Sequence, residues 1–370
     1  MTTTPFQDTE TGATIDPAQT PDDRKCVTII FNPVSGQTDP EQRKKTISDA
    51  LAEHGYTCQY MVTSKEEGAK ALAQKALADG VDLVAVSGGD GTVMEAMSAL
   101  VGTDVPLAVF PAGTGNLLSI NLGIPMTVPD AVHVALNGRR YHLDLAKTSD
   151  DRHFAIMGGV GLDAQMIRDA GREAKKKFGA LAYFWAVVKN LGRRRARVEV
   201  FLDDKRPLRR RVKSVLIANM GKITGGLEAM PTASPDDGLL DVGILKSATL
   251  GQGLRLLGYA LLGRTQDDPD LEVHQAKRIR VRAPFPEPVQ FDGEDGGRMT
   301  DLRVEVLPKA VQILLPEDAP AARDTQEPPA VVAQRTALRR LVPAGLVVLA
   351  LAGVLVWRKS QSRKEHNEQE

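Results

Sequence analysis

The ten residues SGGDGTVMEA, Ser87 to Ala96, constrain this chain more than any other stretch. They follow the apolar run LVAV and lead into a helical pattern from Val93 to Leu100. Adjacent glycines let a backbone turn tightly and approach a phosphate with no Cβ in the way. The start of the following helix adds free N–H groups and its dipole. Asp90 sets a carboxylate among amides that would bind phosphate, and two like charges so close are unfavourable without a cation or a proton transfer. A plain strand-to-helix turn needs only one glycine.

Two companions sit at the ends of neighbouring strand patterns. FNPVSGQ, Phe31 to Gln37, closes the β-branched run from Val27 with a rigid Asn-Pro turn and then a Ser-Gly pair. FPAGTGNLLSINLGIP, Phe110 to Pro125, closes the strand LAVF with a third glycine-rich loop. Taken alone, the first reads as an ordinary turn. Neither GxxxxGK[ST] nor GxGxxG occurs at these loops, so phosphate binding here requires a fold other than those motifs specify.

Strand and helix signals alternate from Lys25 to about Asp144. Strands are expected at 56–63, 83–87 and 107–111, with helices at 66–79 and 128–136. This alternation predicts a parallel α/β sheet, whose ligands sit beyond the carboxyl ends of the strands. From about Leu143 strand-like runs dominate: 154–157, 198–202, 212–219, 240–245, 278–281 and 302–306. Helices interrupt them at 179–191 and 250–262, so a second, mostly antiparallel domain follows. The chain has 370 residues, enough for two domains. At 42% hydrophobic and 25% charged residues it cannot be disordered throughout. Two cysteines, Cys26 and Cys58, exclude a disulfide scaffold and read as reduced core residues. The formal charge is zero, which gives the whole chain no nucleic-acid-like positive balance.

The motifs together resemble the bacterial lipid kinases with the diacylglycerol kinase catalytic domain, related also to sphingosine and ceramide kinases. The resemblance rests on NPVSG (32–36), GGDGT (88–92) with Glu95 following, and PAGTGN (111–116). It continues through GGVGLDA (158–164), PTASPDDGLLDV (231–242) and FDGE (291–294), in matching order along roughly residues 25–316. It implies a Rossmann-like nucleotide-binding domain over 25–143, completed by 308–316, and a β-sandwich over 144–307. ATP would lie between them. The family's nucleotide contacts fall on Asn32, Pro33, Val34, Ser35, Gly36, Thr63, Gly89, Asp90, Gly91, Thr92, Val93, Met94, Glu95 and Thr114. Its proton acceptor falls on Glu294, with Asp90 organising the nucleotide's metal and phosphates. Its structural Mg²⁺ falls on Asp237 and the backbone carbonyls of Ser234 and Leu239.

Local chemistry agrees with those implications, although by itself FDGEDGG reads as a solvated hairpin turn and PDDG as an acidic turn. Crowding by Asp292 and Asp295 is expected to raise the Glu294 carboxyl, as suits a general base. Asp236, Asp237 and Asp241 supply the oxygen ligands hard cations take. Asn116 is followed by Leu117 and Leu118, where the soluble diacylglycerol kinases commonly carry Asp, which leaves the acceptor lipid open. Sphingoid, ceramide and other lipid alcohols stand beside diacylglycerol as acceptors. Outside lipid kinases, an NAD kinase-like enzyme shares GGDGT, and a membrane-tethered sensor is the non-enzymatic alternative.

The ends carry their own expectations. Residues 1–24 read as a disordered tail with no signal peptide, 317–337 as a linker and 359–370 as a charged tail. Between the last two, Leu341 to Trp357 is an uncharged run flanked by Arg339, Arg340, Arg358 and Lys359. At about 1.5 Å per residue it reaches roughly 26 Å, so a single transmembrane helix over 338–358 is expected, with a cytoplasmic catalytic domain. Residues 165–213 hold sixteen Lys and Arg against five Asp and Glu. With Tyr183, Phe184 and Trp185 among them, the stretch reads as a surface for an anionic membrane or as a solvated face. The partners expected are thus a membrane lipid and an anionic membrane, with no nucleic acid; a homodimer is left open.

Overall fold

The computed structural model describes residues 25–36, 38–161, 195–223, 227–246 and 250–319. The expected helix at 179–191, the membrane helix and both terminal tails lie outside them. Among the described residues, no helix is long and apolar enough to cross a membrane.

The first domain alternates β1 (Cys26–Phe31), α1 (Pro40–Glu53), β2 (Thr57–Val62), α2 (Ala69–Ala78), β3 (Val84–Gly88), α3 (Asp90–Leu100), β4 (Leu107–Pro111), α4 (Leu117–Leu122) and α5 (Val128–Asn137). The four strands are parallel in the order β2-β1-β3-β4. Both faces of β1, β3 and β4 are covered, so these strands are apolar at nearly every position, whereas the edge strand β2 buries only Met61. Ile30, Val84, Val86, Leu107 and Val109 pack with α2 and α3 on one face. Ile29, Phe31, Ala85, Ala108 and Phe110 pack with α1 and α5 on the other. Helix α1 starts cleanly because Asp39 accepts the Glu41 and Gln42 amides, both at 3.0 Å, with Pro40 behind it.

The remaining strands are β5 (Arg139–Thr148), β6 (His153–Phe154), β7 (Met157–Val160), β8 (Ala196–Leu202), β9 (Leu208–Val212), β10 (Ser214–Ala218), β11 (Lys222–Ile223), β12 (Leu227–Glu228), β13 (Leu240–Leu245), β14 (Leu271–Ala276), β15 (Arg278–Phe291) and β16 (Glu294–Leu315), with α6 (Leu250–Leu261) before β14. Among the described residues the pairings within this half are all antiparallel, around a core of Phe154, Val200, Ile217, Val242, Val289 and Val304. Strand β16 runs through both halves. Its first part pairs with β15, its last part with β5, and Ile313 pairs in parallel with Leu107 of β4. The second half is thus joined to the edge of the parallel sheet.

Four local expectations change. The expected strand 154–157 is broken at Ala155 and Ile156, whose amides turn to the Asp292 side chain. The expected strand 212–219 divides at Lys213, whose amide reaches the Leu245 carbonyl. Helix α2 begins at Ala69 and not at Glu66, because the Ser64 hydroxyl holds the Glu66 and Glu67 amides in a turn. Cys26 is exposed and Cys58 only half-buried, so neither is a core residue.

Candidate active site

Three loops leave the carboxyl ends of β1, β3 and β4 side by side. Backbone bonds set their spacing: the Asn32 amide donates to the Ser87 carbonyl and the Ala112 amide to the Gly88 carbonyl, each at 2.9 Å. Side chains then lock the loops together. Asn32 Oδ1 accepts the Val34 amide at 3.0 Å, and its Nδ2 donates to Thr92 Oγ1 at 2.8 Å. Ser35 Oγ accepts the Gly89 amide at 3.2 Å. Gly89 and Gly113 are in direct backbone contact; a Cβ on Gly113 would lie 2.7 Å from the Gly89 Cα. Gly89 precedes α3 with no side chain of its own to cap it, and the Asp90 amide that opens the helix favours the Asp90 carboxylate.

Arg43 of α1 is buried behind the first loop. Its guanidinium lies over the Phe31 ring at 4.4 Å and donates to the carbonyls of Asn32 and Ser35. A trans peptide points N–H opposite C=O, so holding the Ser35 carbonyl turns the Gly36 amide away from Arg43. Burial lowers the Arg43 pKa. Nothing in the sequence QRKK distinguishes Arg43 from a solvated charge run.

Asp90 is more occupied than the sequence implies. Its Oδ1 accepts the Leu118 amide at 3.2 Å, and the amides of Asn116 and Leu117 also favour its charged form. Burial outweighs them and raises its pKa. Asp90 therefore caps α4 from 28 residues away and joins the second loop to the third. Asn116 supports the same turn in the left-handed region, at φ 47°.

Glu294 comes from the other half of the molecule. It is exposed at the start of β16, and its Oε1 lies 3.9 Å from where a Cβ on Gly91 would sit. A carboxylate thus faces the phosphate-type loop across the cleft. Asp292 holds that turn in place. Its Oδ1 accepts the Ile156 and Met157 amides at 2.9 and 2.8 Å, and its Oδ2 accepts Ala155 at 2.8 Å. Asp292 is therefore committed to backbone and is not the free neighbour of Glu294 that the sequence implies. Burial, with a smaller contribution from Asp90, pushes the Asp292 carboxyl up to about 6 against the pull of those amides. Asp295 accepts the Gly297 amide within its own turn.

The remaining expected nucleotide residues divide. Pro33, Val34, Ser35 and Gly36 form the first loop, where Val34 is 89% exposed. The Thr63 amide donates to the Phe31 carbonyl, which sets Thr63 beside that loop. Gly91 and Thr92 lie in the first turn of α3, and Thr114 is exposed in the third loop. Val93 is instead 3% exposed in the core, and Met94 packs against the same core. Glu95 Oε2 accepts the Ala69 amide at 3.0 Å and so caps α2. These three side chains stabilise α3 and its neighbours and do not face the cleft.

The expected cation residues lie on the turn before β13. Asp237 Oδ1 accepts the Leu239 amide at 2.9 Å, and Ser234 Oγ donates to Asp236 at 3.0 Å. Burial and the charges of Asp241, Asp144 and Asp236 push the Asp237 carboxyl up to about 6. Among the described residues no group of three His, Cys, Asp or Glu side chains forms a metal cage. A cation here would rest on Asp237 and main-chain carbonyls. An acidic cluster that resists its own ionisation fits a hard cation of that kind. Asp144 was missed from the sequence. It is fully buried, and its two oxygens accept the Gly238 and Lys309 amides at 2.7 Å each, tying this turn to β16. The only available signal is one acid in the apolar strand pattern YHLDLA.

Comparison with known proteins gives the family. Residues 26–148 match the family described as diacylglycerol kinase catalytic domain. Residues 157–315 match the YegS C-terminal NAD kinase beta sandwich-like domain. An uncharacterised protein of Synechocystis sp. PCC 6803 is 30% identical over 305 residues, 78% of this chain and 70% of that protein. A diacylglycerol kinase of Mycobacterium tuberculosis is 29% identical over 299 residues, 78% of this chain and 95% of that enzyme. A solved diacylglycerol kinase structure from Bacillus anthracis superposes with TM-score 0.60 at 22% identity, over 80% of this chain and 98% of that one, which supports the fold. The chain belongs to the diacylglycerol kinase catalytic-domain family of lipid kinases, with a YegS-type C-terminal domain.

Proposed function

We propose that the protein transfers the γ-phosphate of ATP to the hydroxyl of a membrane lipid, with diacylglycerol as acceptor and phosphatidic acid as product. The observation that carries this reading is the approach of Glu294 to Gly91. In the proposed step the acceptor oxygen bonds to the γ-phosphorus as its proton passes to Glu294, and the bond from phosphorus to the β,γ-bridging oxygen breaks, releasing ADP. The loop amides and the start of α3 hold the phosphates, which is the positioning that phosphoryl transfer requires. Mg²⁺ bound with the nucleotide would neutralise phosphate charge. A second Mg²⁺, on Asp237 and the Ser234 and Leu239 carbonyls, would hold the acidic turn together. The apolar run 341–357 would tether the enzyme beside its substrate.

The second matched domain is described as NAD kinase-like, so NAD is the competing acceptor. Labelled ATP offered to diacylglycerol, a sphingoid base, a ceramide and NAD distinguishes them. Labelled phosphatidic acid is the expected product; labelled NADP alone would overturn the proposal.

The second cation has its own expected result. With Asp237 raised to about 6, the cation-free protein is favoured by the protonated carboxyl. That stability is complete below about pH 4 and is lost as pH rises through about 6. A cation must displace the proton, so its benefit grows in the same window. Without nucleotide, 10 mM Mg²⁺ should raise Tm by about 2–4 °C at pH 7.5 and much less at pH 5. Asp237→Asn should remove the difference, which calorimetry at the two pH values checks.

A further inference from the structure

The solvent face of the ribbon β9-β8-β15 carries an unbalanced cluster of guanidinium groups. The inner face of β8 is Val198, Val200 and Leu202, all in the core. On the outer face Arg197 stands directly opposite Arg211, and Glu199 lies between Arg209 and Arg282 in the next row. The four arginines and Glu199 line a concavity of about 490 Å³. Like charges directly opposite in a ladder destabilise it unless an anion intervenes. Glu199 pairs with Arg209 at 2.9 Å. Among the described residues Arg197, Arg211 and Arg282 make no ion pair. Asp301, opposite Arg282 on β16, gives its oxygens to Arg280 and Arg303 instead.

The contrast lies along one strand. On the same face of β15, Arg278 is matched by Asp204 and Arg280 by Asp301, whereas Arg282 is left open. Just beyond Arg282, β15–β16 pairing is interrupted until Glu287, across the segment Ala283–Pro286. That segment presents Phe285 at 73% exposure, in the sequence PFP. Prolines on both sides restrict the backbone that holds the ring out. A projecting aromatic beside unpaired cations matches an interface of phosphate headgroups over acyl chains.

We propose that this face docks on the anionic phospholipid surface of a bilayer, with lipid phosphates in the arginine concavity and Phe285 at the headgroup–acyl boundary. The proposal rests on the lipid-kinase reading and names the surface by which the enzyme meets its membrane. Charge complementarity selects this occupant over a second copy, which would bring arginine against arginine.

The test reads position 285 directly, so that membrane attachment elsewhere in the full chain does not obscure it. An environment-sensitive fluorophore is attached at Phe285→Cys in a chain also carrying Cys26→Ser and Cys58→Ser. Phosphatidylcholine vesicles with and without about 30% phosphatidylglycerol are added without ATP. The expected result is a blue shift, quenched by bromine-labelled acyl chains, only with the anionic vesicles. Adding Arg197→Glu and Arg211→Glu should weaken that response about tenfold or more. The same charge reversals should leave phosphate transfer to acceptor in detergent micelles unchanged, which separates failure of docking from failure of the kinase reading. No shift, an equal shift with neutral vesicles, or a response indifferent to the charge reversals would each overturn the proposal. A shift with an RNA oligomer but none with vesicles would overturn it as well.

Discussion

Glu294→Gln is expected to lower phosphate transfer by roughly 10²–10⁴-fold while leaving ATP affinity within about threefold. The amide keeps the shape of the side chain and its position 3.9 Å from the Gly91 Cβ direction, but it cannot accept a proton at neutral pH. Glu294 approaches the loop at Gly91 from across the cleft, and the loops themselves stay locked by Asn32, Ser35 and Asp90. Single-turnover transfer beside equilibrium binding of a non-hydrolysable ATP analogue makes the comparison. Near-normal transfer by the variant would remove Glu294 from the role of base. A parallel loss of nucleotide affinity would show instead that it contacts the phosphates.

The largest effect on stability is expected at Asp292→Ala. Three backbone amides converge on its carboxylate, and alanine leaves all three without a partner. An unsatisfied buried amide costs about 1–3 kcal/mol, and water entering the site recovers part of the sum. A loss of about 3–5 kcal/mol follows, a large share of the 5–15 kcal/mol typical of a domain. The residue also sits at φ 48°, where alanine is strained and asparagine is tolerated. Asp292→Asn should therefore lose only about 1–3 kcal/mol, with its carbonyl oxygen serving Ile156 and Met157 while its NH₂ group faces the Ala155 amide. Urea denaturation of the three proteins tests the order. Equal stabilities would mean that the turn is held by something other than this carboxylate.

These two residues also mark where the sequence was legible. The parallel sheet could be read because the alternation of apolar strand and amphipathic helix is local, and the cleft loops because adjacent glycines at strand ends have few other uses. Asp292 was read as a neighbour of Glu294 because the two are close in sequence. Its partners at 155–157 lie more than 130 residues away, and no local window contains them. The same holds for α4, a six-residue helix without a side-chain cap of its own and capped by Asp90. Asp144 and Arg43 are polar residues whose burial follows from tertiary packing alone. Val93, Met94 and Glu95 show the same limit: they lie in the motif that carries the resemblance, but the helical turn directs the first two side chains to the core and the third to the Ala69 amide.

The path of β16 has a consequence for how the protein is made. The parallel sheet is nearly complete once residue 137 has been synthesised, yet the strand beyond β4 comes from residues close to 313. A ribosome must therefore add almost the whole second half before the first can close its edge. Until then β4 offers unpaired backbone, and Leu107 and Leu143 lack the Val311, Ile313 and Leu315 side chains that share their core. Long-range closure of this kind is slow and exposes the nascent chain to aggregation. A chain cut short anywhere before that final strand should accumulate as a chaperone client and not as a free nucleotide-binding fragment. Completion of the first domain is thereby tied to arrival of the turn that carries Glu294, so the two walls of the cleft come into being together.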